Sequence, residues 1–143
     1  VQVMSAGSGI RHGEYNAATD TTRIFQIWII PDARGGEPSW GSRPFPQGGR
    51  SGRFVALASG HDGDGDALPI RADARVLGAT FAAGESSSYG LGAGRHAYLV
   101  PARGTIEVNG QRVGARDGVA LRDVDTIEVR ALEDAEVVLV DTL

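Results

Sequence analysis

The chain has 143 residues, with 14 basic and 18 acidic side chains and a formal net charge of −4. Every basic residue is an arginine, and the arginines are scattered, so no nucleic-acid footprint is legible. No cysteine is present, which excludes disulfides and thiolate zinc sites; no run has the length of a membrane-spanning helix, and no signal peptide is visible.

Twenty-one glycines and many short apolar runs favour strands over helices, and no window holds a 3.6-residue period. The first run, Val1–Met4, reads as a strand that begins without an initiator Met, as in a piece of a longer chain. Next comes "SAGSGIRHGEYN". If this stretch is extended, His12 and Glu14 share one face, because successive side chains alternate. An imidazole beside a carboxylate is half of a metal site. The bland reading is a solvated or ion-paired His-x-Glu on a surface strand. Asn16 reads as a turn residue, since its amide caps backbone well.

"RIFQIWII" (Arg23–Ile30) is apolar on both faces and predicts a strand buried on both sides, stopped by Pro31. Residues 31–52 turn to Gly, Pro, Ser and Arg and read as a linker. Strands are then predicted at Arg53–Ser59, Leu68–Arg71, Val76–Ala82, Tyr98–Val100, Thr105–Val108, Val119–Leu121, Thr126–Arg130 and Glu136–Asp141. In "TIEVNGQRV", Asn109-Gly110 supplies the two left-handed residues of a type I′ hairpin turn. Regular short strands favour a barrel or sandwich. Its inward positions are expected at Leu57, Ile70, Leu77, Phe81, Leu99, Ile106, Val108, Leu121, Ile127, Val129, Val138 and Val140.

Other strings fail their motifs. "HDGDGDAL" spaces three aspartates like a calcium loop, but Ala67 stands where its glycine belongs and Asp73 where its glutamate belongs. An Asp/Gly hairpin loop is the better reading. "AGSGIRHG" lacks the third glycine and the helix of a dinucleotide site. "GESSSYG" is no nucleophile elbow and reads as a barrel-end loop. His61 and His96 look isolated, one in an exposed loop and one at a strand edge.

One match is specific. "AGSGIRHGEYN" resembles the second cupin motif, Pro-x-Gly-x-x-His-x-x-x-Asn, with Gly7 in place of the proline, then Gly9, His12 and Asn16. Glu14 narrows the likeness to the pirin family, in particular the bacterial pirin-like quercetin 2,3-dioxygenases, and "FQIWIIP" and "VNGQRVGARDGVAL" resemble the same family. The resemblance implies an all-β, RmlC-like jelly-roll bicupin located in the cytoplasm. Residues 1–30 would be the closing strands of an N-terminal metal-binding barrel, 31–52 a linker, and 53–143 a complete C-terminal barrel without metal. In that barrel the first cupin motif, started at Gly84, places its His-x-His on Gly90 and Gly92, its Glu on Ala97 and its last glycine on Gly104.

Carried over, His12 and Glu14 match the later pair of metal ligands, and the His-x-His pair would lie upstream of Val1. The implied cofactor is one divalent metal, iron foremost, with Mn, Ni, Co, Cu or Zn as replacements. With two ligands, this chain is expected to hold little of it. The implied substrate is a flavonol whose ring is cleaved oxidatively, with Glu14 as ligand and general base. The competing expectation is a metal-dependent regulatory module that binds a protein partner. Neither nucleic acid nor membrane is an expected partner. Val1–Met4 and Arg23–Ile30, as unpaired edges, are expected to self-associate.

Overall fold

The computed structural model describes residues 1–46 and 48–143. Twelve strands and no helix occur among the described residues: β1 (Gln2–Ser5), β2 (Ser39–Ser42), β3 (Val55–Ser59), β4 (Leu68–Pro69), β5 (Ala74–Phe81), β6 (Ser86–Gly90), β7 (His96–Arg103), β8 (Ile106–Val108), β9 (Gln111–Val113), β10 (Val119–Arg122), β11 (Thr126–Ala131) and β12 (Ala135–Thr142). A six-stranded sheet in the order β10-β7-β12-β5-β3-β4 faces a four-stranded sheet in the order β6-β11-β8-β9, and β1 and β2 form a separate antiparallel ribbon. This is the jelly-roll arrangement expected from the sequence.

Alternation builds the core. On β11, Ile127, Val129 and Ala131 are buried while Thr126, Glu128 and Arg130 face out. They share the core with Ile106 and Val108 from the same sheet, with Leu91 just past the end of β6, and with Leu99, Val137 and Leu139 from the facing sheet, none more than 2% exposed. Each such side chain contributes roughly 1.5–3 kcal/mol by leaving water. The β8–β9 hairpin closes on Asn109 (φ 46°) and Gly110 (φ 83°), the turn predicted from the sequence. Asn109 also ties the hairpin to β11, accepting from the Glu128 amide at 2.7 Å.

Several expectations are corrected. On β12 the buried side chains are Val137, Leu139 and Asp141, while Val138 and Val140 are half-buried on the other face. Ile70 is half-buried as well. The sequence "EVVLVD" is apolar on both faces, so only its charged ends marked the register, and Asp141 is an inward charge. Arg23–Ile30 forms no strand. Ile24, Trp28 and Ile30 are 64%, 86% and 90% exposed, because no described strand hydrogen-bonds to the segment. "GESSSYG" is strand β6 rather than a loop, paired with β11 along its length. The loop after Ser59 joins two parallel strands, β3 and β4, and is therefore no hairpin.

The stretch 31–52 is not featureless; Gln47 within it lies outside the described residues. It contains β2, whose residues Ser39–Ser42 pair with β1 and so occupy one edge of the first strand. It also contains Arg50, buried at 8% exposure. The Arg50 guanidinium donates to Glu136 Oε1 at 2.6 Å and to the Pro46 carbonyl at 2.9 Å, and lies 4.1 Å above the Phe45 ring. Thr80 N–H donates to the Arg50 carbonyl, and Gly52 N–H to the Thr80 carbonyl, both at 2.8 Å. Phe45, Pro46 and residues 50–52 thus strap β5 and β12 from outside.

Candidate metal centre and the polar end of the barrel

His12 and Glu14 lie beyond β1 in a stretch without strand pairing, so the alternation argument applies only locally. It holds there: His12 Nε2 stands 3.9 Å from Glu14 Oε1, with the two side chains 36% and 51% exposed. Two ligands bound to one metal at about 2.1 Å sit roughly 3.0–3.4 Å apart, so this pair stands wider than two bound ligands would. Asn16 is a turn residue, as expected. Its Oδ1 accepts from the Ala18 amide and the Thr22 hydroxyl, and its Nδ2 donates to the Asp20 carbonyl. Among the described residues, no three His, Asp or Glu side chains converge on one point. The pair is of a donor type that suits a divalent ion, fewer in number than the three or four groups a protein site uses. Its chemistry is right, and its number is two.

In the C-terminal barrel, the strand that would carry a first-motif His-x-His is β6. Its inward positions are Tyr89 and the following residue Leu91, not Gly90 and Gly92. Leu91 is 1% exposed, and Tyr89 packs edge-on to Phe54 with ring centroids 5.9 Å apart. Gly90 and Gly92, where the motif sets its His-x-His, are both exposed. Ala97 is buried, and Gly104, with φ 78°, is required by backbone: a Cβ there would stand 2.4 Å from the Asp134 carbonyl oxygen.

A polar network occupies one end of this barrel. Asp141, fully buried, accepts the Tyr89 hydroxyl and the Arg95 Nε–H, each at 2.6 Å. Arg95 reaches on to Asp73, donating to Oδ1 at 2.7 Å and to the main-chain oxygen at 3.2 Å. His61 Nε2 lies 2.8 Å from the same Asp73 oxygen, so His61 is not isolated. Arg75 and Ser59 both donate to Asp64 Oδ2 at 2.6 Å. That makes the second aspartate of "HDGDGD", Asp64, an ion-pair partner.

The protonation equilibria follow the contacts. Hydrogen bonds from Ser59 and then Arg75 hold the Asp64 carboxyl below its ordinary value, and Arg95 does the same for Asp73. Burial, then the hydrogen bond to Asp141, pushes the Tyr89 phenol up to about 12. Nothing in the sequence pairs these residues; the pairing arises where strand ends meet.

Comparison with known proteins places this geometry. The chain is 67% identical over 141 residues to a pirin-like protein of Caulobacter vibrioides, covering 99% of this chain and 61% of that protein. It is 32% identical over 141 residues to the quercetin 2,3-dioxygenase of Escherichia coli K12, covering 98% of this chain and 59% of that enzyme. The crystal structure of YhhW from Escherichia coli superposes with a TM-score of 0.86 at 32% identity, over 99% of this chain and 59% of that one. The bacterial pirin YhhW in complex with nickel(II) superposes at 0.71 and 26% identity, over 80% of this chain and 48% of that one. This chain thus spans about three-fifths of the length of the curated relatives it matches. Residues 56–142 match the family described as the quercetinase C-terminal cupin domain, and with that match the chain belongs to the pirin-like cupins.

Proposed function

We propose that these residues form the C-terminal barrel and half of the metal centre of a flavonol dioxygenase of the quercetin 2,3-dioxygenase type. In this reading residues 1–30 belong to an N-terminal metal-binding barrel, 31–52 connect it to the C-terminal barrel of residues 53–143, and the remaining ligands come from sequence before Val1. The observation that carries the proposal is the His12–Glu14 pair, an imidazole and a carboxylate 3.9 Å apart, on a chain that spans 61% of a pirin-like relative. The nickel(II) complex of YhhW supports a divalent metal in this family, and we assign iron as the physiological ion because imidazole and carboxylate suit it. The expected location is the cytoplasm.

The chemistry follows from the two side chains. A bound metal supplies Lewis acidity toward the flavonol hydroxyl and an open position for substrate or dioxygen. His12 holds its side of the centre as a neutral imidazole. Glu14, about half-exposed, holds the other and takes the hydroxyl proton on a carboxylate oxygen. Arg11 alternates with His12 and takes no part.

A second reading, a metal-dependent module that binds a protein partner, draws support from the exposed Ile24, Trp28 and Ile30. An open apolar pocket above the metal separates an enzyme from such a module. The test is quercetin consumption and metal content, for this 143-residue chain and for the longer protein with His12→Ala or Glu14→Ala. The short chain should bind substoichiometric metal and turn nothing over; both variants of the longer protein should lose metal and activity. Stoichiometric metal and turnover in the short chain would overturn the divided site. Full activity in both variants would overturn the ligand assignment.

A further inference from the structure

The segment that carries His12 and Glu14 makes no strand, yet its approach is tied to the C-terminal barrel by a continuous chain of contacts. The chain starts in the core at Asp141, which holds Arg95. Arg95 holds Asp73 through both side chain and main chain. The Asp73 amide donates to Asp32 Oδ1 at 3.1 Å, and the Asp32 amide donates to the Arg71 carbonyl at 3.0 Å. Arg71 Nη2 donates to the Glu37 carbonyl at 2.8 Å, and its guanidinium lies so close over Gly36 that a Cβ there would stand 3.0 Å from Nη1.

Residues 32–37 in turn hold the turn before His12. Ser8 N–H donates to the Gly36 carbonyl at 2.9 Å. Gly7, with φ 53°, presses on the same strip of backbone, where a Cβ would be 2.4 Å from the Gly36 oxygen. Past the ligands, the Asn16 turn closes the other side of the segment. His12 and Glu14 therefore lie between two turns, and the one at Gly7–Ser8 is tied to the barrel.

We propose that Asp73, Arg71 and Asp32 are positioning residues for the His12–Glu14 pair, using the β4–β5 loop of the C-terminal barrel as their base. The proposal rests on the reading of His12 and Glu14 as metal ligands and gives the C-terminal barrel a part in the metal centre. Its parts divide the work. Arg95 transmits rigidity from the core, where Asp141 cannot move. Asp32 and Arg71, both exposed, act only on the loop. Supporting groups of this kind matter because a chelating pair loses affinity when its two donors wander independently.

The test uses Asp32→Ala, Arg71→Ala and Asp32→Asn in the 143-residue chain. Asparagine keeps the Oδ1 acceptor for the Asp73 amide and serves as the rescuing substitution. Amide hydrogen exchange over residues 5–16 reads the turn, and Ni2+ titration, followed by broadening of the amide resonances of residues 12–15, reads the ligand pair. Unchanged resonances for Leu99 and Leu139 establish an intact barrel. Both alanine variants should exchange faster in residues 5–16 and raise the Ni2+ midpoint by about tenfold, and Asp32→Asn should behave as the parent. Unchanged exchange in both alanine variants would overturn the clamp. Faster exchange with an unchanged Ni2+ midpoint would overturn the positioning role. His12→Ala separates the two readings: it should abolish Ni2+ broadening without altering exchange at Ser8. Persistent Ni2+ binding in His12→Ala would sink the ligand reading, and the positioning role with it.

Discussion

Arg95→Ala is the sharpest probe of the barrel. Asp141 has no exposed surface, and its carboxylate is held by the Arg95 Nε–H and the Tyr89 hydroxyl, each at 2.6 Å. Removing the guanidinium leaves a buried charge with one hydroxyl and with Arg75 Nη1 at 3.9 Å. Breaking a buried pair from one side costs about 3–5 kcal/mol, since the remaining charge keeps its desolvation penalty. Arg75 and Tyr89 soften the loss toward the lower end, about 3 kcal/mol. For a domain of this size that lowers Tm by roughly 10 °C. Thermal and urea melts followed by circular dichroism measure it. The double replacement Arg95→Met with Asp141→Leu should recover most of the loss, because it removes the stranded charge along with its partner. A cost below about 1 kcal/mol for Arg95→Ala would mean that Asp141 reaches water, and the reasoning would fail.

Two further outcomes follow from the same packing. In a spectrophotometric titration one tyrosine should ionise near 12, and Tyr89→Phe should remove that component. Because the folded phenol lies above its unfolded value, its contribution to stability is complete below about pH 10 and is lost as pH rises from there through 12; a wild-type alkaline stability profile matching that of Tyr89→Phe would contradict this. Leu139→Ala should cost about 2–5 kcal/mol and Ile106→Ala and Val129→Ala about 2–4 kcal/mol, against roughly 1 kcal/mol for the half-buried Val138→Ala. Equal losses at Leu139 and Val138 in urea melts would show that β12 buries both faces alike.

What the sequence reveals depends on whether neighbours along the chain or across the fold decide the outcome. The β8–β9 turn is legible because Asn109-Gly110 carries its own backbone requirement. β11 is legible because a charge alternates with each apolar residue. β12 is misread because the residue taken to face water, Asp141, is a buried charge that meets Tyr89 and Arg95, both far away in sequence. β6 is missed because three consecutive serines carry no apolar period, although Tyr89 and Leu91 mark its inner face in hindsight. His12 and Glu14 stand two apart in the sequence and 3.9 Å apart in the structure, and their reading as ligands rests on the family resemblance. The base beneath them is invisible in sequence, since Asp32, Arg71 and Asp73 are three ordinary surface residues until the loop brings them side by side.

The strap formed by Phe45, Pro46 and residues 50–52 changes where the barrel can be cut. The family match begins at residue 56, and a polypeptide trimmed to that point would retain both sheets except for Val55, the first residue of β3. It would also lose Arg50, leaving Glu136 without its 2.6 Å partner and the Thr80 amide without its acceptor. The outer face of β5 would shed the Phe45 ring, which lies 3.4 Å from the space above Gly78. Such a trimmed barrel would present a bare stretch of sheet, where a strand from another molecule could dock. The strap therefore belongs to the barrel it covers, although it lies upstream of β3, the first strand of that barrel.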